Sequence, residues 1–187
     1  MIMVILMGIG SLSIMQNNNG RGLNSGVTIL ESCINEARTL AMAKGVDARL
    51  LINNDPNDTA NYRRQIVTVY NDDTDGWTKA YRAVSLPSGV YVDDQLSVTT
   101  LSDIGTIESG SGDIEFTRDV SPPYLYIKFN KLGICKQDGA SNPGASLALV
   151  SGRLVSSEVQ MQGNQKVAVV VWRNGGTTRV NDPEKIN

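Results

Sequence analysis

Residues 27–45 read VTILESCINEARTLAMAKG, and this stretch decides the fold. Val27, Leu30, Ile34, Ala37 and Ala41 recur at steps of three and four, with Ile29, Cys33 and Leu40 widening the apolar stripe. Glu31, Asn35, Arg38 and Thr39 supply the polar positions around it. Thr28 and Glu31 have capping-box spacing, and Gly45 stands where a helix ends in the left-handed conformation. The pattern predicts an amphipathic helix over residues 27–44, and the stripe centred on Leu30, Ile34, Ala37 and Ala41 must lie on another element.

Downstream the period changes. Residues 48–52, 62–70, 77–86, 89–92, 113–116, 124–129, 146–150, 166–172 and 177–180 are short runs with β-like composition, of which 62–70 and 124–129 mix β-branched and aromatic residues in partial alternation. Turn chemistry separates them at 54–58, 71–76, 109–112, 121–123 and 142–144, and Arg173-Asn174-Gly175-Gly176 reads as a tight hairpin. One amphipathic helix followed by many strands predicts an α+β domain, with the helix packed on an antiparallel sheet or sandwich.

Upstream, residues 1–15 read MIMVILMGIGSLSIM, an uncharged run whose apolar positions include Ile2, Val4, Ile5, Leu6, Ile9, Leu12 and Ile14. As a helix it extends only ~22 Å against a hydrocarbon core of ~30 Å, too short to span by itself. No basic segment precedes it and no small-x-small site follows, so it does not read as a secretory signal. Residues 16–26, QNNNGRGLNSG, carry three glycines and a run of amides, which disfavour helix and predict a flexible neck over 16–25. The chain thus divides into an apolar helix at 1–15, a neck at 16–25 and a globular domain at 26–187.

The rest of the composition narrows function. The chain has 187 residues, enough for one ordinary domain with a self-sufficient core, and no histidine. Without histidine the commonest general base, zinc ligand and nucleophile partner are all missing, which moves the expectation away from an enzyme. A net charge of −2 offers no broad cationic face, so nucleic acid is not an expected partner. Cys33 and Cys135 are neither a C-x-x-C pair nor a metal knuckle. A bridge between them would contribute roughly 4 kcal/mol in an oxidising compartment; otherwise they are two buried, inert thiols, the reading preferred here.

Weaker motifs have plain alternatives. Asn71, Asp73 and Asp75 ahead of Gly76 imitate the front of a calcium loop, but its twelfth position is Arg82 instead of an acid, and an acidic hairpin explains the same residues. Asp93-Asp94 and the Asp113/Glu115 pair could serve acid–base work, yet in a chain of 19 acids such pairs arise by chance. The six tyrosines are expected in sheet packing more than in an adhesive patch. No phosphate-loop motif occurs and no cofactor is implied.

An apolar helix, an amphipathic continuation and an antiparallel β domain together resemble the type IV pilin and type II secretion pseudopilin superfamily, nearest to H-type minor pseudopilins and FimT-like pilins. The stretch comparable to their L-x-x-A-R-x-x-A-x-x-x-G-x-x-V-x-L pattern runs from Ile34 to Leu50, with Ala37, Arg38, Ala41, Gly45 and Leu50 in place and Ile34 and Ala48 where the pattern has Leu and Val, and Phe129 and Gly133 resemble their F-x-x-x-G turn. The prepilin peptidase site and the fifth-position Glu of the family do not occur, which fits a chain that begins inside the apolar segment. The resemblance implies a non-catalytic subunit held in the bacterial inner membrane by its apolar helix. It would then assemble with homologous subunits into a periplasmic or extracellular filament. The alternative is a secreted or surface β-rich module that binds carbohydrate or a protein partner.

Overall fold

A computed structural model describes residues 2–72, 76–93, 104–106, 108–110, 114–116, 121–136, 142–156 and 158–181, with the backbone alone for 2–19, 104–106, 142–143 and 163–164. The chain is α+β. Helix α1 (Ile2–Lys44) is followed by β1 (Ala48–Asn53), β2 (Gln65–Asp72), β3 (Gly76–Lys79), β4 (Val84–Ser85), β5 (Val90–Asp93), β6 (Ile104–Thr106), β7 (Glu108–Gly110), β8 (Tyr124–Phe129), β9 (Asn142–Val155), β10 (Glu158–Trp172) and β11 (Thr177–Asn181). They form two sheets. The first runs β3-β2-β1-β8-β7 with β4 on β2, and the second β11-β10-β9-β5 with β6 on β9. All pairings are antiparallel except β6 with β9.

Helix α1 contacts β1, β2 and β8 of the first sheet and β5, β9 and β10 of the second, so one core joins all three. Alternation on β1 shows how the sequence builds it: Ala48, Leu50 and Ile52 join the helix core, whereas Leu51 joins a second cluster on the outer face. That outer cluster adds Val67, Val69, Ile114, Phe116, Tyr124 and Tyr126. The helix ends at Gly45 (φ 69°), where the Val46 N–H donates to the Ala41 carbonyl at 3.2 Å, the six-to-one bond of a Schellman motif.

Several expectations are corrected. Residues 16–25 are helical, and α1 is one helix of 43 residues without a break. The reason lies in Gly22 and Gly26, one helical turn apart, both of which face Val90 of β5. A Cβ at Gly26 would stand 2.9 Å from Val90 Cγ1 and 3.6 Å from Leu149 Cδ1, so this glycine permits close helix–sheet approach. Residues 114–116 are not strand; Ile114 and Phe116 are instead buried in the outer cluster. Ser109 and Gly110 belong to β7, where Gly110 leaves room for the Tyr124 ring, whose Cζ would lie 2.8 Å from a Cβ there. Residues 142–144 begin β9 instead of turning, with Pro143 at its start, where proline is tolerated. Residues 77–86 divide into β3 and β4.

The β9–β10 ribbon is much longer than its apolar runs suggest. Its distal part pairs Gly152–Val155 with Glu158–Met161, turns at Ser156 (φ 50°), and shifts register between Met161 and Lys166. Gly152 is required there, because a Cβ would stand 2.7 Å from the Gln160 carbonyl oxygen.

Candidate functional site

The residues singled out in the sequence gather on α1. Leu30, Ile34, Ala37 and Ala41 are all fully buried in the shared core, together with Val27 and Leu23. Burying a leucine or isoleucine side chain contributes about 1.5–3 kcal/mol, so this face is a strong attachment between helix and sheets. Ile2, Val4, Ile5, Leu6, Ile9, Leu12 and Ile14 lie on the same helix, ahead of these positions; their side chains fall outside the described atoms. Among described residues, the buried side chains of α1 begin at Leu23. A Cβ at Gly20, one turn earlier, would stand 3.6 Å from Gln165 Oε1 of β10.

Polar contacts fix the helix laterally. Arg179 of β11 donates to both Glu31 carboxylate oxygens, with Nε at 2.8 Å from Oε1, and its Nη2 also reaches Thr28 Oγ1. Arg179 is 43% exposed, so this pair adds only about 0.2–1 kcal/mol, but it sets which strand edge meets which helical turn. On the same helix Arg38 lies across two left-handed glycines, Gly133 (φ 71°) and Gly175 (φ 76°). A Cβ at Gly175 would run into Arg38 Cδ and stand 2.9 Å from the Gly133 carbonyl oxygen; one at Gly133 would stand 2.7 Å from Met42 Sδ. The two turns are tied by the Cys135 N–H donating to Arg173 O at 3.0 Å. Arg38 therefore clamps the β8–β9 and β10–β11 turns onto the helix. The sequence carried a signal for this, an arginine and two glycines in turns, but their meeting depends on segments about a hundred residues apart.

The remaining candidates separate. Asn71 lies in β2 opposite Trp77, and its N–H donates to Asp47 O; Asp73 and Asp75 lie outside the described residues. Among described residues no group of three or more acids or cysteines is placed to hold a metal ion. Asp93 ends β5 and Glu115 is exposed, while Asp94 and Asp113 lie outside the described residues. Tyr62, Tyr91, Tyr124 and Tyr126 are buried, and only Tyr81 of the six is among the exposed large side chains. Cys33 and Cys135 are free and buried. Burial, with a smaller contribution from Glu36, pushes the Cys33 thiol up to about 11; burial, with Glu108 adding, pushes Cys135 up to about 12. Both stay protonated at neutral pH and are poor nucleophiles.

A shallow groove of about 530 Å³ runs along the solvent side of α1, lined by Ser32, Asn35, Glu36, Thr39, Leu40, Ala43 and Tyr81. Partial burial raises the Glu36 carboxyl above its usual range. This surface offers hydroxyl, amide and carboxyl groups and one aromatic ring. Among described residues no helix is both long and apolar enough to cross a membrane.

No protein family matches the chain, and no curated protein is similar to it. Among solved structures it is similar to the minor pseudopilin EpsH from the Type 2 Secretion System of Vibrio cholerae. One structure of that protein gives a TM-score of 0.49 at 11% identity, covering 85% of this chain and 96% of that one. A crystal structure of it gives 0.46 at 15% identity, covering 87% and 94%.

Proposed function

We propose that this chain is a non-catalytic structural subunit, a minor pilin or pseudopilin, that assembles through its N-terminal helix into a type IV pilus or type II secretion filament. Before assembly the same helix would hold it in the bacterial inner membrane, with the β domain facing the periplasm. The observation that carries this reading is the course of α1, a single helix of 43 residues that anchors Leu23, Leu30, Ile34 and Ala41 in the core of the β domain and whose sequence opens with the uncharged apolar run of residues 2–15. An apolar run in that position is suited to burial among lipids or sister helices, at about 25 cal/mol per Å² removed from water, less the cost of ordering. The Glu31–Arg179 pair and the Arg38 clamp would then keep the β domain in a fixed orientation on its stem.

Sedimentation of the full chain beside a chain lacking residues 1–19 tests this. The full chain should enter detergent micelles or self-associate, and the shortened chain should be a folded monomer. A full chain that stays monomeric without detergent, and that is destabilised by Ile5→Asp, would show the run buried in its own protomer and end the proposal.

A further inference from the structure

The outer face of the first sheet holds a feature with no part in the helix attachment. Arg49 of β1 is directly opposite Lys128 of β8 and Val69 of β2, and Val69 is opposite Lys79 of β3. Three cationic residues thus occupy one row across four strands. Like charges directly opposed on neighbouring strands are destabilising, so the arrangement needs a reason. Lys128 pairs with Asp47 at 3.3 Å, and Lys79 donates to the Phe116 carbonyl at 3.2 Å. Glu108, the nearby acid on β7, accepts from the Tyr126 hydroxyl.

Arg49 has no such answer. Its guanidinium carbon lies 4.0 Å from the Trp77 ring centroid and 4.5 Å from that of Tyr126. Among described residues it makes no hydrogen bond and no ion pair, and its Nε is buried without a partner. Two rings stabilise the charge, but they leave its N–H donors unmatched. The unmatched N–H donors of a guanidinium are the groups that grip an oxyanion with paired hydrogen bonds. Lys128, one strand away, supplies a second positive charge at ordinary strand spacing.

We propose that Arg49 and Lys128, walled by Trp77 and Tyr126, form a binding site for a small oxyanion, a carboxylate or a phosphate. The bound anion relieves the Arg49–Lys128 opposition and satisfies the stacked guanidinium. This site does not depend on the filament reading.

Trp77 reports on it. The chain has two tryptophans, and Trp172→Phe leaves Trp77 as the single indole. The full chain carrying that substitution is titrated with sodium phosphate or sodium acetate at constant ionic strength, with sodium chloride as reference. A saturable change in Trp77 emission is expected with phosphate, acetate or both, and not with chloride. Response to acetate alone assigns a carboxylate ligand, and to phosphate alone a phosphate. Arg49→Lys, which keeps the charge and loses the planar fork, and Lys128→Gln, a partly exposed change that spares the stack, should each weaken binding about tenfold. No saturable change, a change equalled by chloride, or binding unaffected in folded Lys128→Gln would overturn the site.

Discussion

Replacing the three stem glycines by alanine one at a time separates a close-packed helix from a flexible neck. In a helix interior alanine is favoured over glycine by about 0.8–1 kcal/mol. At Gly20 the new Cβ would find Gln165 Oε1 at 3.6 Å, and at Gly22 it would find Val90 Cγ2 at 3.7 Å, both ordinary contacts. Gly20→Ala and Gly22→Ala should therefore each stabilise by nearly the full propensity term, raising Tm by about 2–4 °C for a domain of this size. Gly26 differs. Its Cβ would stand 2.9 Å from Val90 Cγ1, on a side chain that is β-branched, buried and next to Pro87 and Leu149. Overpacking of this kind costs about 1–3 kcal/mol, which cancels or exceeds the gain. Gly26→Ala should then unfold several degrees below Gly22→Ala when followed by circular dichroism of the full chain. In a Val90→Ala background the penalty should vanish, leaving a coupling of about 1 kcal/mol or more in the double-mutant cycle. Equal stabilisation at all three glycines, or no coupling to Val90, would refute the close approach of helix and β5.

Three further outcomes are expected. Ile34→Ala, at a fully buried core position, should cost about 2–5 kcal/mol in urea unfolding without changing the monomer's secondary structure. Gly175→Ala should cost about 1–3 kcal/mol from its positive φ, and Arg38→Ala should not fully restore it, because the Gly133 carbonyl oxygen would still stand 2.9 Å from the new Cβ. The folded chain holds the Cys33 and Cys135 protons more tightly than the unfolded chain, so their contribution is intact below pH 9.0 and is lost as pH rises through about 11 and about 12. Alkaline unfolding of wild type compared with a Cys33→Ala, Cys135→Ala variant should show that extra loss only in the wild type.

The elements legible in the sequence were those whose information is local. The 27–44 stripe, the Gly45 stop, and the β1 and β8 runs each state their period and boundaries within a few residues. What stayed hidden depended on distant partners. Gly22 and Gly26 look like helix breakers until Val90, more than sixty residues on, is placed against them. Gly110 looks like a loop residue until the Tyr124 ring lies over it, and the distal β9–β10 ribbon has too few apolar residues to announce strands that are held mainly by pairing with each other. The Arg38 clamp was half visible, since Arg38 and Gly133 belong to the motif resemblance, but Gly175 entered only as a hairpin residue.

The unbroken course of α1 has a mechanical consequence. Tension applied near residue 5 travels along one hydrogen-bonded rod into side chains anchored from Leu23 to Ala41, a span of about 27 Å at 1.5 Å per residue. Those anchors are loaded together in shear instead of being peeled away one after another, and the Gly45 turn places the first strand directly behind them. A molecule built this way can be dragged by its stem while the head remains folded.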